Sequence, residues 1–290
     1  MSLQMRVVAA FLRLAYKPRM ATPERARKRM AEPKGSSEPS AALRKRHDVR
    51  TREIGGFAVH TVAPRGRRAT RAAVYLHGGA YISEITPQHW ALISRMADAG
   101  VRVDVPIYGL APAHTYREAY PFVTEAYRQL LADHDPSEVT LAGDSAGGGL
   151  ALGLAQTLGE AGLPQPRRLV LLSPWLDLTL SNPDLRAVDD PWLNIPGLVE
   201  AGKAWAGGDD PTQPRLSPLD GALAGVAPID LYVGTREICH PDALRLQERA
   251  AAQGADLRLV GCEGAVHVYP LVPAPEGRAA ARAIVESLSA

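Results

Sequence analysis

The stretch "VTLAGDSAGGGLALGLAQ" (residues 139–156) places a serine among small residues, where an apolar run gives way to a helical pattern. Its segment Gly143-Asp144-Ser145-Ala146-Gly147 matches the Gly-x-Ser-x-Gly pattern, in which a serine occupies a sharp turn from a strand to a helix. Small neighbours are needed because the strand and the helix crowd this turn. Backbone N–H groups at the start of the helix can stabilise an oxyanion. The stretch therefore predicts an α/β fold with a nucleophilic serine at residue 145.

A serine hydroxyl is a poor nucleophile and needs a base that is held in place by a third group. In folds with this type of turn, the chain order is serine, acid, histidine. His240 and His267 are the histidines that follow Ser145, and of these His267, in "GCEGAVHVYP", comes after the final predicted strand. We therefore predict that His267 is the general base.

The acid that orients this base has three candidates. Glu237, in "LYVGTREICHPDA", follows the penultimate predicted strand and so lies at the same sheet edge as Ser145 and His267. Asp242 is placed to begin the next helix, where an acidic residue also complements the helix dipole. Asp177, in "SPWLDLT", follows the preceding strand. We predict Glu237 as the acid, with Asp242 and Asp177 as the alternatives.

A second glycine-rich segment, "YLHGGAYIS", follows the first of the central strands. Glycines in this loop would let the backbone approach a tetrahedral intermediate and direct N–H groups at its negative charge. We predict an oxyanion hole formed by the N–H groups of Gly78, Gly79 and Ala146. His77 is expected to organise the loop by hydrogen bonding rather than to act as a base.

Short apolar runs alternate with helix-length segments along most of the chain. This alternation predicts a largely parallel sheet with helices on both faces. The run "GGFAVHTVAP" (55–64) is expected to add an antiparallel edge. The six predicted strands are "AAVYLH" (72–77), "VRVDVPIY" (101–108), "EVTLAG" (138–143), "RLVLLSP" (168–174), "IDLYVG" (229–234) and "LRLVG" (257–261).

Two regions interrupt this alternation and predict a small helical cap over the active edge of the sheet. We expect an N-terminal cap segment at 1–52, a cap insertion at 176–220, and an α/β core at 53–175 and 221–290. Ordinary packing within the cap is the alternative to substrate contact for its large side chains. The candidate substrate-binding residues are Tyr81, Asp144, Trp192, Leu193, Leu198 and Trp205.

The composition, with 46% hydrophobic residues and a formal net charge of +2 over 290 residues, is that of an ordinary globular protein without a strong general field for nucleic acid or anionic membranes. Positive charge is concentrated before residue 53, which favours a solvated helical segment or, alternatively, contact with a membrane surface or a partner.

The run "VVAAFL" is too short for an export signal, and no apolar run is long enough to cross a bilayer, so we expect a cytoplasmic protein without stable membrane insertion. Cys239 and Cys262 suit neither a disulfide framework nor a structural zinc site. No metal or phosphate-binding signature is present, and we expect no cofactor.

Four separated motifs resemble those of the hormone-sensitive lipase group of α/β-hydrolases. They are "HGG" (77–79), "YGLAP" (108–112), "GDSAGG" (143–148) and "GAVHVYP" (264–270), and the resemblance covers about residues 55–288. It implies the α/β-hydrolase fold with a helical cap, and an esterase that in many relatives favours short acyl chains. Some relatives act as acetyl esterases and some open cyclic esters. A homodimer is plausible from the resemblance alone.

Three features depart from the pattern of the group. Ala80 stands where a third glycine is usual, Glu237 replaces an aspartate, and "YGLAPAH" (108–114) lacks the arginine and glutamate of the common "YRLAPEH". We predict a serine carboxylesterase that hydrolyses short-chain acyl esters of small molecules through an acyl-enzyme. The alternatives are a lactone hydrolase, an amidase or a thioesterase with the same residues, and a noncatalytic receptor for a small ligand.

Overall fold

A computed structural model describes residues 1–289 and contains one eight-stranded sheet. Its strands are β1 (Asp48–Ile54), β2 (Phe57–Ala63), β3 (Arg71–Leu76), β4 (Val101–Pro106), β5 (Val139–Asp144), β6 (Arg168–Leu172), β7 (Ile229–Gly234) and β8 (Leu257–Cys262). Their order across the sheet is β1-β2-β4-β3-β5-β6-β7-β8. Strands β3 to β8 pair in parallel, so their carboxyl ends lie along one edge. All six predicted strands are confirmed.

The antiparallel part of the sheet is larger than the sequence indicated. Strand β2 pairs antiparallel with β4, as expected, but β1 lies outside it and forms the edge. Residues 48–52 were assigned to the N-terminal cap segment, and that boundary is wrong. The side chains of β1 are exposed or half-buried throughout, so the strand lacks the apolar run by which the central strands are recognised.

Helices cover both faces of the sheet, as a largely parallel sheet requires. Buried side chains of α5, α6 and α8 join the core on one face, while those of α1, α4 and α9 pack on the other. The helices are α1 (Leu3–Ala15), α2 (Pro23–Ala31), α3 (Ala41–Arg46), α4 (Pro87–Asp98), α5 (Tyr116–Leu131), α6 (Ser145–Thr157), α7 (Ile195–Ala206), α8 (His240–Ala252) and α9 (Pro275–Ser289).

The insertion at 176–220 leaves and rejoins the core at neighbouring points, because the Leu219 N–H donates to the Leu176 carbonyl oxygen at 3.0 Å. Its helix α7 packs against α2 from the N-terminal segment. Helix α2 begins after Thr22, whose side chain accepts a hydrogen bond from the Arg25 N–H, as expected for an N-cap. Within residues 1–289, no helix combines the length and the apolar character needed to cross a membrane.

Candidate active site

Ser145 stands at the junction of β5 and α6 with a φ of +51°, a left-handed conformation that is strained for a residue with a side chain. The turn is possible because the flanking residues are glycines. A Cβ atom at Gly147 would lie 2.1 Å from the carbonyl oxygen of Leu76, and one at Gly143 would lie 2.4 Å from that of Gly147. The Gly-x-Ser-x-Gly pattern is therefore a steric requirement of this fold.

The structure brings Ser145, His267 and Glu237 together from three loops at the carboxyl edge of the sheet. The Oγ of Ser145 lies 2.9 Å from Nε2 of His267. The other ring nitrogen of His267, Nδ1, hydrogen-bonds to Oε2 of Glu237. The imidazole and the carboxylate are almost completely buried. These three groups can therefore pass a proton from the hydroxyl to a ring that a charged carboxylate holds in orientation.

Ser173 holds the carboxylate in place, and the sequence analysis did not identify it. Its hydroxyl donates to Oε1 of Glu237 at 2.6 Å and accepts from the Val268 N–H at 2.9 Å. The Gly234 N–H donates to the same Oε1 at 2.7 Å. Ser173 directly follows β6, in "LLSPW". Polar residues at this edge of the sheet converge on the site, so this position could have indicated a role for Ser173.

The two alternative acids are bonded elsewhere. Asp177 accepts hydrogen bonds from the N–H and hydroxyl groups of Thr179 and Ser181 in its own turn. Asp242 accepts from the side-chain amide of Asn182 at 2.8 Å. The carboxylates of Asp177 and Asp242 therefore stabilise the local loop structure. The carboxylate that contacts His267 is that of Glu237.

A further buried carboxylate, Asp190 of the insertion, also went unrecognised in the sequence. Its Oδ1 accepts from the N–H groups of Trp192 and Leu193 at 2.6 and 2.9 Å. Its Oδ2 accepts at 3.0 Å from the N–H of Ile238, the residue after Glu237. Asp190 therefore ties the insertion to the loop that carries the acid.

The electrostatic environment favours the protonated form of His267. Burial alone would lower the pKa of the imidazole. The charge and hydrogen bond of Glu237 outweigh burial, and the charges of Asp190 and Asp144 act in the same direction, so the pKa of His267 is raised above its usual value. Such a ring accepts a proton readily when it is neutral.

The predicted role of Gly78 as an oxyanion donor is wrong. Its N–H donates to Oδ1 of Asp144 at 2.9 Å, so the group is already used. The same carboxylate accepts from the Tyr75 hydroxyl at 2.8 Å and lies 3.1 Å from Nε2 of His89. Asp144 is buried among these partners, and the prediction that it binds substrate is corrected as well. It instead anchors the "HGG" loop to the serine turn.

The next part of that loop has an unusual backbone. Gly79, Ala80 and Tyr81 have φ values of +127°, +54° and +60°. A Cβ atom at Gly79 would lie 2.5 Å from the Ser83 carbonyl oxygen, so a glycine is required there. Ala80, which departs from the family pattern, takes a left-handed conformation despite its side chain, at a cost of about 1 kcal/mol. The loop thus keeps its shape without the third glycine.

His77 organises this loop, as predicted. Its Nδ1 donates to the Gly78 carbonyl oxygen at 2.7 Å, and its ring stacks on Tyr108 with centroids 4.6 Å apart. The Tyr108 hydroxyl donates to the His77 carbonyl oxygen at 2.5 Å. Burial, together with the nearby His89, lowers the pKa of His77 to about 4, so the ring is neutral near pH 7. A neutral ring with these contacts suits a structural role.

The other five predicted substrate-binding residues divide into two groups. Tyr81, Leu198 and Trp205 are buried in the core; the rings of Tyr81 and Trp205 stack in parallel with centroids 4.2 Å apart. Their role is packing, which corrects the prediction for these three. Trp192 and Leu193 are half-buried, and the Trp192 ring meets the His267 ring edge-on at 5.7 Å. Trp192 therefore lies beside the imidazole of the candidate base.

One set of potential metal ligands coincides with this site. Ligand atoms of Glu237, Cys239 and His267 lie within 4.8 Å of one another. The carboxylate and the imidazole already bond to each other, and burial raises the pKa of the Cys239 thiol well above its usual value. The set is better suited to proton transfer than to metal binding, because a thiol ligates metals as the thiolate.

Comparison with known proteins agrees with the fold. Residues 73–271 match the α/β-hydrolase fold family. The chain is 34% identical over 235 residues to an acetyl-hydrolase of Streptomyces hygroscopicus, covering 78% of each chain. It is 30% identical to a structurally solved esterase of the bacterial hormone-sensitive lipase family, with a TM-score of 0.81 over 100% of this chain and 98% of that one. The esterase EstE5, solved after soaking with p-nitrophenyl butyrate, has a TM-score of 0.85 at 27% identity over 100% and 98%.

The fold and the serine-containing turn define an α/β-hydrolase. The chain belongs to the hormone-sensitive lipase group of this family. It is a carboxylic ester hydrolase.

Proposed function

We propose that this protein is a serine carboxylesterase that cleaves short-chain acyl esters of small molecules through an acyl-enzyme. The observation that supports the proposal most strongly is the hydrogen-bonded line from Ser145 through His267 to Glu237. A strained serine flanked by obligatory glycines adds to it, because such strain is retained where function needs the side chain in one position. The same geometry argues against a noncatalytic receptor, which has no need of a positioned base.

In the first step Ser145 Oγ attacks the ester carbonyl carbon while its proton passes to Nε2 of His267. Glu237 stabilises the imidazolium that forms. The tetrahedral intermediate then collapses, its bond to the alcohol oxygen breaks, and His267 returns the proton to the departing alcohol. In the second step water attacks the acyl-enzyme, with His267 taking a proton from it, and the acid is released as Ser145 recovers its hydrogen.

We assign the oxyanion hole to the N–H groups of Gly79, Ala80 and Ala146. Ala146 lies in the first turn of α6, where N–H groups have no partner within the helix. The left-handed run from Gly79 to Tyr81 makes a concave stretch of backbone of the kind that binds anions. Asp144, which holds Gly78 from the serine turn, fixes the two sets of donors relative to each other.

We further propose that α2 and the insertion 176–220 form the cap that selects the substrate. The Trp192 ring next to His267 limits the room around the reacting carbonyl, which favours a short acyl chain. The name of the Streptomyces relative, an acetyl-hydrolase, points the same way. In this account α2 and 176–220 form the cap, and the hydrolytic core includes α1, which packs on the sheet face.

The proposal is tested by p-nitrophenyl acetate, butyrate and longer esters, together with a lactone, an amide and a thioester. We expect the acetate or butyrate ester to have the highest kcat/KM, and Ser145→Ala to abolish turnover while the circular dichroism spectrum is retained. Ser137→Ala, at an exposed turn, is the control and should behave as the wild type. Undiminished hydrolysis by Ser145→Ala would refute the mechanism, and a preference for the lactone, amide or thioester would refute the substrate class.

A further inference from the structure

Helix α1 carries two apolar faces, of which one is covered by the protein. Met5, Ala9 and Leu12 are buried against the core that includes α9. The other face carries large side chains at intervals of three and four residues, which align on one side of a helix. They are Leu3, Val7, Phe11 and Leu14, with exposed fractions of 71%, 60%, 56% and 80%. We name these four residues the apolar stripe.

Positive charge is concentrated in the segment that carries the apolar stripe. Residues 1–34 contain nine lysines and arginines against two glutamates. On α1 itself Arg6 and Arg13 flank the stripe on one side, since each stands one residue before a stripe residue, Val7 and Leu14, and is exposed to solvent. Of the two, Arg13 also pairs with Asp189. The surface thus combines exposed apolar side chains with positive charge.

A basic cavity of about 370 Å³ lies at the end of α1. Its position follows from Arg19, one of its lining residues, whose Nε donates to the Ala15 carbonyl oxygen at the last residue of the helix. Glu32 in the cavity pairs with Arg29, so the charges of Arg19, Arg25 and Lys28 remain in excess. Such a cavity suits an anionic headgroup next to the apolar stripe.

We propose that the apolar stripe and the basic cavity dock this protein reversibly on an anionic lipid surface. Leu and Phe side chains enter the boundary between headgroups and acyl chains, while lysine and arginine side chains bind the lipid phosphates. Charge decides against a second copy of this chain as the occupant, because two such faces in contact would oppose like charges. A nucleic acid would satisfy the cations but leave the four apolar side chains in water.

The docking helix is connected to the candidate active site. The ring of Tyr16, at the end of α1, meets the Trp192 ring edge-on at 6.2 Å, and Trp192 in turn contacts His267. Arg13 of the same helix pairs with Asp189 at 2.6 Å. Docking through α1 therefore places the insertion, and the site beneath it, close to the lipid surface.

The experiment is cosedimentation of the full chain with phosphatidylcholine vesicles, with and without phosphatidylglycerol. We expect binding to the vesicles that contain phosphatidylglycerol, and weaker binding at high salt. The double variant Val7→Ser/Phe11→Ser should lower the partition coefficient by about tenfold or more. Leu3→Ser/Leu14→Ser tests the same face independently. Leu244→Ser, at an exposed leucine of α8, is the matched control and should bind as the wild type.

The contribution of the basic cavity is tested by the double variant Arg25→Gln/Lys28→Gln, which should bind anionic vesicles severalfold more weakly than the wild type. Arg95→Gln, an exposed arginine of α4, is its control. Absence of cosedimentation, or undiminished binding by both stripe variants, would overturn the proposal. So would light scattering that shows a dimer disrupted by these variants without vesicle binding by the wild type. Binding requires no turnover, so Ser145→Ala should bind fully, and this test stands apart from that of the esterase.

Discussion

The carboxylate of Asp190 accepts a hydrogen bond from the main-chain N–H of Ile238, at 3.0 Å. Ile238 directly follows Glu237, and Asp190 belongs to the insertion that carries Trp192. One buried side chain thus couples the proposed cap to the loop whose carboxylate bonds to His267. Its negative charge also helps to raise the pKa of His267.

Asp190→Asn should move the pH profile. The mutation removes a negative charge that raises the pKa of His267, so that pKa falls. Since His267 acts as a base only when neutral, the acidic limb of the kcat/KM profile should shift to lower pH. The side-chain NH2 group of the new asparagine cannot accept from a main-chain N–H, so one of the hydrogen bonds of Asp190 is lost, and kcat should also fall by roughly tenfold. Asp189→Asn, at the exposed neighbour, is the control; an unshifted acidic limb in Asp190→Asn would contradict the electrostatic role.

Glu237→Gln should reduce kcat by roughly 100-fold to 10,000-fold, because a neutral side chain does not stabilise the imidazolium. Steady-state hydrolysis of p-nitrophenyl butyrate measures the loss. Asp242→Asn and Asp177→Asn are the matched controls, since neither carboxylate contacts His267, and both should stay within a few-fold of the wild type. If kcat fell further in Asp242→Asn or Asp177→Asn than in Glu237→Gln, the substituted aspartate, and not Glu237, would be the catalytic acid.

Gly147→Ala should destabilise the protein by about 1–3 kcal/mol or more, because its Cβ would meet the Leu76 carbonyl oxygen at 2.1 Å and the backbone has to move. Thermal unfolding should show a decrease in Tm of roughly 2–10 °C. Gly159→Ala provides the comparison, since a Cβ there meets no atom within 4 Å. Equal Tm values for the two variants would mean that the turn is less crowded than described.

Tyr75→Phe removes a buried donor to the Asp144 carboxylate. Hydrogen bonds to charged groups contribute about 1.5–3 kcal/mol, and we expect a loss of free energy of unfolding in that range by urea denaturation. Tyr127→Phe removes a hydroxyl that donates to the neutral carbonyl of Pro164, so its loss should be only about 0.5–1.5 kcal/mol. The reverse order of the two losses would show that Asp144 does not anchor the loop as a charged group.

Much of this site follows from local sequence. The glycines around Ser145 are readable because sterics at a strand-to-helix turn leave few other residues possible. The order of Ser145, Glu237 and His267 along alternating strands and helices then places all three at one edge of a parallel sheet. Strands β3 to β7 are apolar runs buried almost throughout, which is why they stand out in the sequence.

Other features depend on contacts between distant segments, which a single sequence does not display. Gly78 was predicted as a free donor because nothing local shows that its N–H reaches Asp144. Tyr81 was predicted to bind substrate because it follows the "HGG" loop. The structure shows its ring stacked on that of Trp205, a residue far away in the sequence. The edge strand β1 lacks an apolar pattern, and Asp190 acquires its role only through the fold of the insertion.

The most direct test of the account is intact-protein mass spectrometry after rapid mixing with p-nitrophenyl butyrate and an acid quench. We expect an added mass of one butyryl group, mapped by peptide analysis to Ser145 and absent from Ser145→Ala. Butyryl transfer to another residue, or turnover by the wild type with no acylated protein at any mixing time and no burst of p-nitrophenol, would contradict it.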